Sequence, residues 1–152
     1  MIFHTLAGFI RTQEISSNGN SKQVKVNMGS PKKIALSGNL FVMPKDISVC
    51  GKILRMYCVS MGNPHAICFV NNLKDLDINE IGKALQTHDS FPEGVNFELA
   101  SVENRTLINV QVWERGAGFT MACGTGACAT HIAALDQQFV EDDVTIRLPG
   151  GD

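Results

Sequence analysis

The chain has 152 residues, 44% of them hydrophobic, and a formal net charge of −2, which is enough for one domain with a real core or for two small lobes. Because the charge is near zero and no block of Lys or Arg stands out, we expect neither nucleic acid nor an anionic membrane as a partner. No apolar run approaches the roughly 20 residues that a membrane-spanning helix needs, and the first residues lack the basic-then-apolar order of a signal peptide.

The five cysteines indicate a reducing environment. They contain no C-x-x-C pair, and Cys50, Cys58 and Cys68 lie in strand-like apolar runs, where a reduced cysteine behaves as a small hydrophobe. We therefore expect a cytoplasmic protein without disulfides.

The first part of the chain has the pattern of short strands. Val24, Val26 and Met28 alternate with polar residues, as in a half-buried strand. The predicted strands lie on either side of a polar turn at 16–21, then at 33–44 with a break at Gly38-Asn39, at 51–62, and at 65–70 after a Gly-Asn-Pro turn.

The second part adds helices. A first helix is predicted at 77–88, where Asp77 and Glu80 fit a capping box. A hairpin across Glu103-Asn104-Arg105 follows, then a second helix at 124–139 and a last short strand. Because this second helix is apolar nearly all round, we expect it to be buried and wrapped by sheet.

The run "MACGTGACAT" at 121–130 could hold a metal clip, a disulfide, a phosphate loop or a reactive thiol. Cys123, Cys128 and His131 lack the second ligand pair that a zinc site usually has, and the Lys of a phosphate loop is missing. A disulfide between Cys123 and Cys128 is possible, but nothing in the sequence indicates the oxidising compartment in which disulfides persist. A thiol fits better, because Cys123 stands where free N–H groups and the helix dipole favour a thiolate.

The same N–H groups could hold a substrate carboxylate, and the glycines that follow Cys123 let it approach the backbone closely. Cys128, one helical turn further on, is interpreted as packing.

The segment "VWERGAGFTMACGTGACAT" at 112–130 resembles the C-terminal part of diaminopimelate epimerases, a pyridoxal-phosphate-independent family. The segments at 61–70 and 91–110 resemble the same family in the right order and at the right intervals. The resemblance covers nearly the whole chain. It is specific, because the run from Glu114 to Gly126 is long and contiguous.

The resemblance implies an α+β fold in which a curled, mainly antiparallel sheet surrounds a buried central helix. It also implies an isomerase of lysine and cell-wall precursor biosynthesis that inverts the α-carbon of LL-diaminopimelate to the meso form, with no cofactor and no metal. In that family two cysteines face each other across the α-carbon. One, as thiolate, removes the proton, and the other, as thiol, delivers one. Cys123 matches the cysteine of the C-terminal lobe.

Further site residues follow from the resemblance. Asn63, Asn96 and Arg115 match groups that bind the distal end of the substrate, where the planar guanidinium of Arg115 suits a carboxylate. The remaining matches lie at the reacting end, where His65 would tune the thiols: Glu114, His65, Gly124 and Thr125. Without the resemblance, both asparagines fit turn or strand-start positions, Arg115 a surface charge and His65 a core residue.

The chain departs from the family pattern at both ends. The Asn-Gly-x-Arg-Cys motif of the first lobe, with its partner cysteine, is absent, and the family continues beyond "LPGGD". We therefore expect 1–23 to be a strand pair or linker of a missing N-terminal lobe, and 24–152 to be a C-terminal lobe without its last strands. Such a chain would be inactive alone, and its open sheet edges would favour a homodimer or other self-association.

Two alternatives stay open on the sequence. One is a related cofactor-independent amino acid racemase or isomerase, although proline racemases carry a different signature around the cysteine. The other is a noncatalytic remnant that acts as an interaction module.

Overall fold

The computed structural model of the protein describes residues 1–5, 8–19, 21–32 and 42–152. The described residues form two compact units, Met1–Ser30 and Pro31–Asp152. The boundary predicted from the sequence lay between 23 and 24, and the assignment of either unit to a lobe stays a prediction. Most of the strand region predicted at 33–44, including its break at Gly38-Asn39, lies outside the described residues.

The first unit is an antiparallel sheet in the order β1-β2-β3. Its strands are β1 (Ile2–Thr5), β2 (Gly8–Asn18) and β3 (Ser21–Asn27). Gly19, with φ of +58°, lies in the turn between β2 and β3, inside the polar turn predicted at 16–21.

The second unit is built on one larger sheet in the order β10-β8-β7-β6-β5-β4, with β9 also paired to β8. Its strands are β4 (Val42–Val49), β5 (Lys52–Ser60), β6 (Pro64–Phe69), β7 (Asn96–Asn104), β8 (Leu107–Glu114), β9 (Gly118–Thr120) and β10 (Thr145–Arg147). All pairs are antiparallel except β6 with β7 and β8 with β10. The prediction of an α+β fold with a mainly antiparallel sheet is confirmed.

Helix α1 (Ile78–Leu85) crosses over between the parallel strands β6 and β7. The side chain of Asp77 accepts hydrogen bonds from the N–H groups of Asn79 and Glu80, which satisfies donors left free at a helix start. Gly82 lies so close to Trp113 of β8 that a Cβ at this position would collide with the indole. The helix therefore packs directly onto the sheet, and the glycine is what permits it.

Helix α2 (Gly124–Asp136) packs against β4, β5, β6 and β7. Ala129, Ala133 and Ala134 are fully buried, whereas Leu135 near the end of the helix is exposed. No helix among the described residues is both long and apolar enough to cross a membrane.

Both faces of the larger sheet are buried, since α1 and α2 belong to different core clusters. Alternate residues of one strand therefore enter different clusters: Ala66 and Cys68 of β6 pack with α1, and Ile67 packs with α2. A strand with this environment needs apolar residues on both sides, so a charged residue inside it requires a partner.

Candidate active site at the start of helix α2

Cys123 is the N-cap residue of α2. Its backbone is extended, with φ of −145° and ψ of 110°, and its sulfur accepts a hydrogen bond from the N–H of Gly126 at 3.4 Å. The Thr125 hydroxyl lies 3.5 Å from the same sulfur. The sulfur thus occupies the position that Ser, Thr or Asp oxygens take in ordinary N-caps.

The pKa of the Cys123 thiol is raised, and burial is the main cause. The hydrogen bonds from Thr125 and Gly126 lower this pKa, whereas the negative charges of Glu114 and Glu98 raise it. The sequence argument expected the helix start to lower the pKa, but desolvation of the buried thiolate outweighs its donors here.

The first turn of α2 keeps further donors available. The N–H groups of Gly124 and Thr125 have no acceptor among the described residues, as is usual at a helix N-terminus. Gly124 is exposed and Thr125 is partly exposed. An anionic group could therefore reach these two N–H groups beside the sulfur.

Gly126 is required by close packing on the inner side of this turn. A Cβ at Gly126 would lie 2.7 Å from Oε1 of Glu98 and 3.3 Å from the sulfur of Cys123. The sequence argument assigned the glycines of this loop to substrate approach. The structure shows that Gly126 also leaves space for a protein carboxyl group.

Glu98, on β7, was missed by the sequence analysis. It is fully buried, and its Oε1 lies 2.7 Å from Nδ1 of His65, which is also buried. Burial raises the pKa of Glu98, and the His65 hydrogen bond only partly opposes this. A signal was present, because a charged residue between Phe97 and Leu99 in a strand buried on both faces needs a partner.

Asn63 connects His65 with the start of α2. Its Oδ1 lies 3.2 Å from Nε2 of His65, and its Nδ2 donates to the Thr125 hydroxyl at 3.3 Å. A continuous series of hydrogen bonds therefore runs from the buried Glu98 to the sulfur of Cys123.

Asn96 and Arg115 lie together at the neighbouring strand ends. Oδ1 of Asn96 accepts from the backbone N–H of Arg115 at 2.9 Å, and its Nδ2 donates to the Pro64 carbonyl at 2.9 Å. The Arg115 guanidinium is exposed and donates to the Glu93 carbonyl at 3.2 Å. Asn96 thus ties the ends of β6 and β8 together, while the Arg115 side chain keeps most of its donors available.

Glu114 has a different partner from its neighbour Arg115. Its Oε1 accepts a hydrogen bond from the Thr120 hydroxyl at 2.6 Å, across the antiparallel pair of β8 and β9. Thr120 was not singled out from the sequence. This contact holds the Glu114 carboxylate on the side of the site where its charge acts on Cys123.

All eight residues predicted for the site lie near one end of the larger sheet, where strands start or finish, or at the start of α2. The starts of the parallel strands β6 and β7 meet there, since His65 pairs with Asn96, and the antiparallel strand β8 ends beside them. Hydrogen bonds join Asn63 to α2 and Asn96 to Arg115. Cys128 is half-buried within α2, and no metal-binding group of three or more His, Cys, Asp or Glu side chains occurs among the described residues.

Comparison with solved structures identifies the class of fold. The chain is similar to the crystal structure of a probable proline racemase from Agrobacterium radiobacter with bound carbonate, with a TM-score of 0.60 and 17% identity. The match covers 99% of this chain and 49% of that one. At this identity the likeness shows the racemase-type fold alone.

Comparison of sequences is more specific. The family model described as diaminopimelate epimerase matches residues 57–152. The chain is 38% identical to the diaminopimelate epimerase of Halothermothrix orenii and 41% identical to that of a Cyanothece species, and each match covers 97% of this chain. The chain belongs to the diaminopimelate epimerase family, and it spans about half the length of these curated relatives, 55% and 54%.

Proposed function

We propose that this chain supplies one of the two thiols that invert the α-carbon of diaminopimelate, without a cofactor. Cys123 acts at the α-carbon: as a thiolate its sulfur takes the α-proton, and as a thiol it returns a proton to the carbanion. The observation that carries the proposal is the N-cap position of Cys123, with its sulfur beside free N–H groups.

The first turn of α2 supports the stabilisation of the carbanion. When the α-proton leaves, negative charge spreads into the substrate carboxylate. The N–H groups of Gly124 and Thr125 are fixed in position to hold that carboxylate, and such preorganised donors act most strongly where charge develops. Glu114 suits the amino group of the same carbon, because its carboxylate already lies near the sulfur.

The distal end of the substrate is assigned to Asn63, Asn96 and Arg115. Diaminopimelate carries a second amino acid end, and the exposed guanidinium of Arg115 can bind its carboxylate in a bidentate manner. Asn96 positions this arginine, because its side-chain oxygen accepts a hydrogen bond from the backbone N–H of Arg115. Asn63 is also engaged with His65 and Thr125, so its contact with substrate would be shared with the reacting end.

We further propose that the 152 residues do not complete the inversion alone. Inversion needs a second acid on the opposite face of the α-carbon. Burial raises the pKa values of Cys58 and Cys68 to about 11, Cys50 lies on the turn between β4 and β5, and Cys128 is on the same helix as Cys123. We therefore assign the second acid to none of these four cysteines.

We place the reaction in the cytoplasm, because Cys123 must be a free thiol.

Substrate protection tests the function. We expect meso- and LL-diaminopimelate to slow the alkylation of Cys123 by iodoacetamide, measured by peptide mass spectrometry. L-Lysine, which lacks the distal carboxylate, is the matched control and should protect several-fold less. Replacement Arg115→Lys should abolish this difference, since a point charge replaces the planar fork. Equal protection by lysine would contradict the assignment of the distal end.

Incubation of the purified chain with LL-diaminopimelate in D₂O, without iodoacetamide, tests whether these residues complete the inversion. We expect the purified chain to leave LL-diaminopimelate unconverted, with Cys123→Ser as the background control. Epimerisation at enzyme-like rates by the chain alone would disprove the need for a second thiol outside these residues.

A further inference from the structure

Glu98 and His65 form a buried pair that the proposed inversion does not use. Both side chains have no solvent exposure, and Oε2 of Glu98 has no hydrogen-bond partner among the described residues. A buried carboxylate facing a ring nitrogen without a hydrogen between them would be strongly disfavoured. A hydrogen therefore lies between Oε1 of Glu98 and Nδ1 of His65, 2.7 Å apart.

The remaining hydrogen bonds have a defined direction. Oδ1 of Asn63 can only accept, so Nε2 of His65 carries a hydrogen that it donates. Nδ2 of Asn63 can only donate, and it donates to the Thr125 hydroxyl. The hydroxyl hydrogen of Thr125 is then free to point at the sulfur of Cys123, 3.5 Å away.

We propose that Glu98 is a positioning residue. The hydrogen that it shares with His65 determines, through Asn63, whether the Thr125 hydroxyl donates to the sulfur of Cys123. This inference does not rest on the proposed inversion, because it concerns the reactivity of one thiol in the absence of substrate.

Two states of the hydrogen bonds follow. With the shared hydrogen in place, every donor points toward Cys123, and a thiolate there gains the Thr125 hydroxyl as a donor. When the pair loses one proton to solvent, the remaining hydrogen lies on Nδ1 and is donated to the Glu98 carboxylate. Nε2 then accepts, the Asn63 amide turns over to donate to it, and the Thr125 hydroxyl donates to Asn63 instead of to the sulfur.

The burial of Glu98 suits this role. Desolvation raises its pKa, so the pair keeps its shared proton to a higher pH than an exposed glutamate would. The carboxyl group lies against Gly126 at the inner side of the α2 start and has no contact with solvent.

Other charges also face this cluster. Glu114, from β8, raises the pKa values of both Glu98 and Cys123. Cys128, from α2, interacts with Cys123. These groups, and the charge of Glu98 itself, act on Cys123 through space and need no hydroxyl at Thr125. Removing that hydroxyl therefore leaves the through-space effect and takes away the effect of the hydrogen bonds.

The test is the pH dependence of Cys123 alkylation, in which the thiolate sulfur displaces iodide from iodoacetamide. It is measured by peptide mapping of the full chain in a Cys50→Ser background. We expect a plot of the logarithm of the alkylation rate against pH to show two inflections. One comes from the Cys123 thiol and the other from the Glu98–His65 pair. In Thr125→Val we expect the second inflection to be several-fold smaller than in the parent chain, because only the charge of Glu98 acting through space remains. The rate at neutral pH should be about tenfold lower, because a hydrogen bond to an ionised acceptor is lost. Thr125→Ser should restore both.

Glu98→Gln tests the origin of the second inflection. Its amide can donate to Nδ1 of His65 at every pH, so we expect the thiol inflection alone. A single inflection in the parent chain, or a second inflection as large in Thr125→Val as in the parent chain, would overturn the proposal. Both comparisons leave Glu98 in place and therefore do not depend on whether Glu98→Gln folds.

Discussion

At the scale of single residues, the two cysteines of α2 differ in their hydrogen-bond donors. Burial raises the pKa of both thiols. The Gly126 N–H and the Thr125 hydroxyl can donate to the sulfur of Cys123 and stabilise its thiolate. For Cys128, the charge of Cys123 raises the pKa of the thiol further. The sequence position of Cys123 at a helix start is what predicted this difference.

We therefore expect Cys123 to be alkylated by iodoacetamide roughly tenfold faster than Cys128 near neutral pH, because hydrogen bonds to an ionised acceptor stabilise the reactive thiolate of Cys123. Both rates should rise with pH and level off only above the pKa of an ordinary thiol, because both pKa values are raised. Peptide-resolved mass spectrometry measures the two rates in one sample. Equal or reversed rates would remove the argument from the helix start.

Single residues also show where the sequence was insufficient. The family segment at 112–130 was enough to locate Cys123, Glu114 and Arg115, because all three lie within it. Glu98 was hidden in an apolar strand, and its partner His65 is distant in sequence. A pairing of this kind depends on the register between β6 and β7, which local patterns do not determine.

At the scale of elements, the hairpin of β4 and β5 contains a turn with an unfavourable residue. Cys50 and Gly51 both have positive φ, +49° and +70°, between the paired residues Val49 and Lys52. This is the geometry of a two-residue type I′ turn, for which Asn-Gly is the preferred sequence. Because Cys50 was interpreted as part of an apolar strand, its place in the turn was not predicted.

We expect Cys50→Asn to raise the free energy of unfolding by up to about 1 kcal/mol, because Asn tolerates the left-handed region better than Cys. The change in the free energy of unfolding is measured as a shift in the midpoint of urea denaturation. The control Gly51→Ala should destabilise by about 1 kcal/mol, since a Cβ is added at positive φ in space that is otherwise open. Lower stability in Cys50→Asn would contradict the turn assignment.

The helices were predicted better than the strands. The Asp77 cap and the glycines after Cys123 are local signals, and the structure starts α1 and α2 where they lie. The second helix ends at Asp136 rather than at 139, because Gln138, just after the C-cap, has a left-handed backbone with φ of +58°.

At the scale of the whole molecule, the two units differ in how they cover apolar side chains. Ile2, Phe9, Ile15 and Val24 of the smaller sheet are exposed, whereas the larger sheet is buried on both faces. A small sheet with exposed apolar side chains is prone to association.

We expect the chain to self-associate at high concentration, as measured by sedimentation. Two negative charges on β3, Val24→Glu with Val26→Glu, should shift the equilibrium toward monomer, because they interrupt exposed apolar surface and move the net charge further from zero. Ile53→Glu, at an exposed position in the other unit, is the control and should have a smaller effect. A clean monomer of the parent chain at high concentration would contradict the expectation.

The contact between Gly82 and Trp113 has a consequence for observing the protein. Trp113 is the only tryptophan in the sequence, it directly precedes Glu114 and Arg115, and α1 packs against its indole. The tryptophan fluorescence of the protein therefore comes from one place, between a helix and the candidate site. Its emission reports whether α1 is docked there, without any added label.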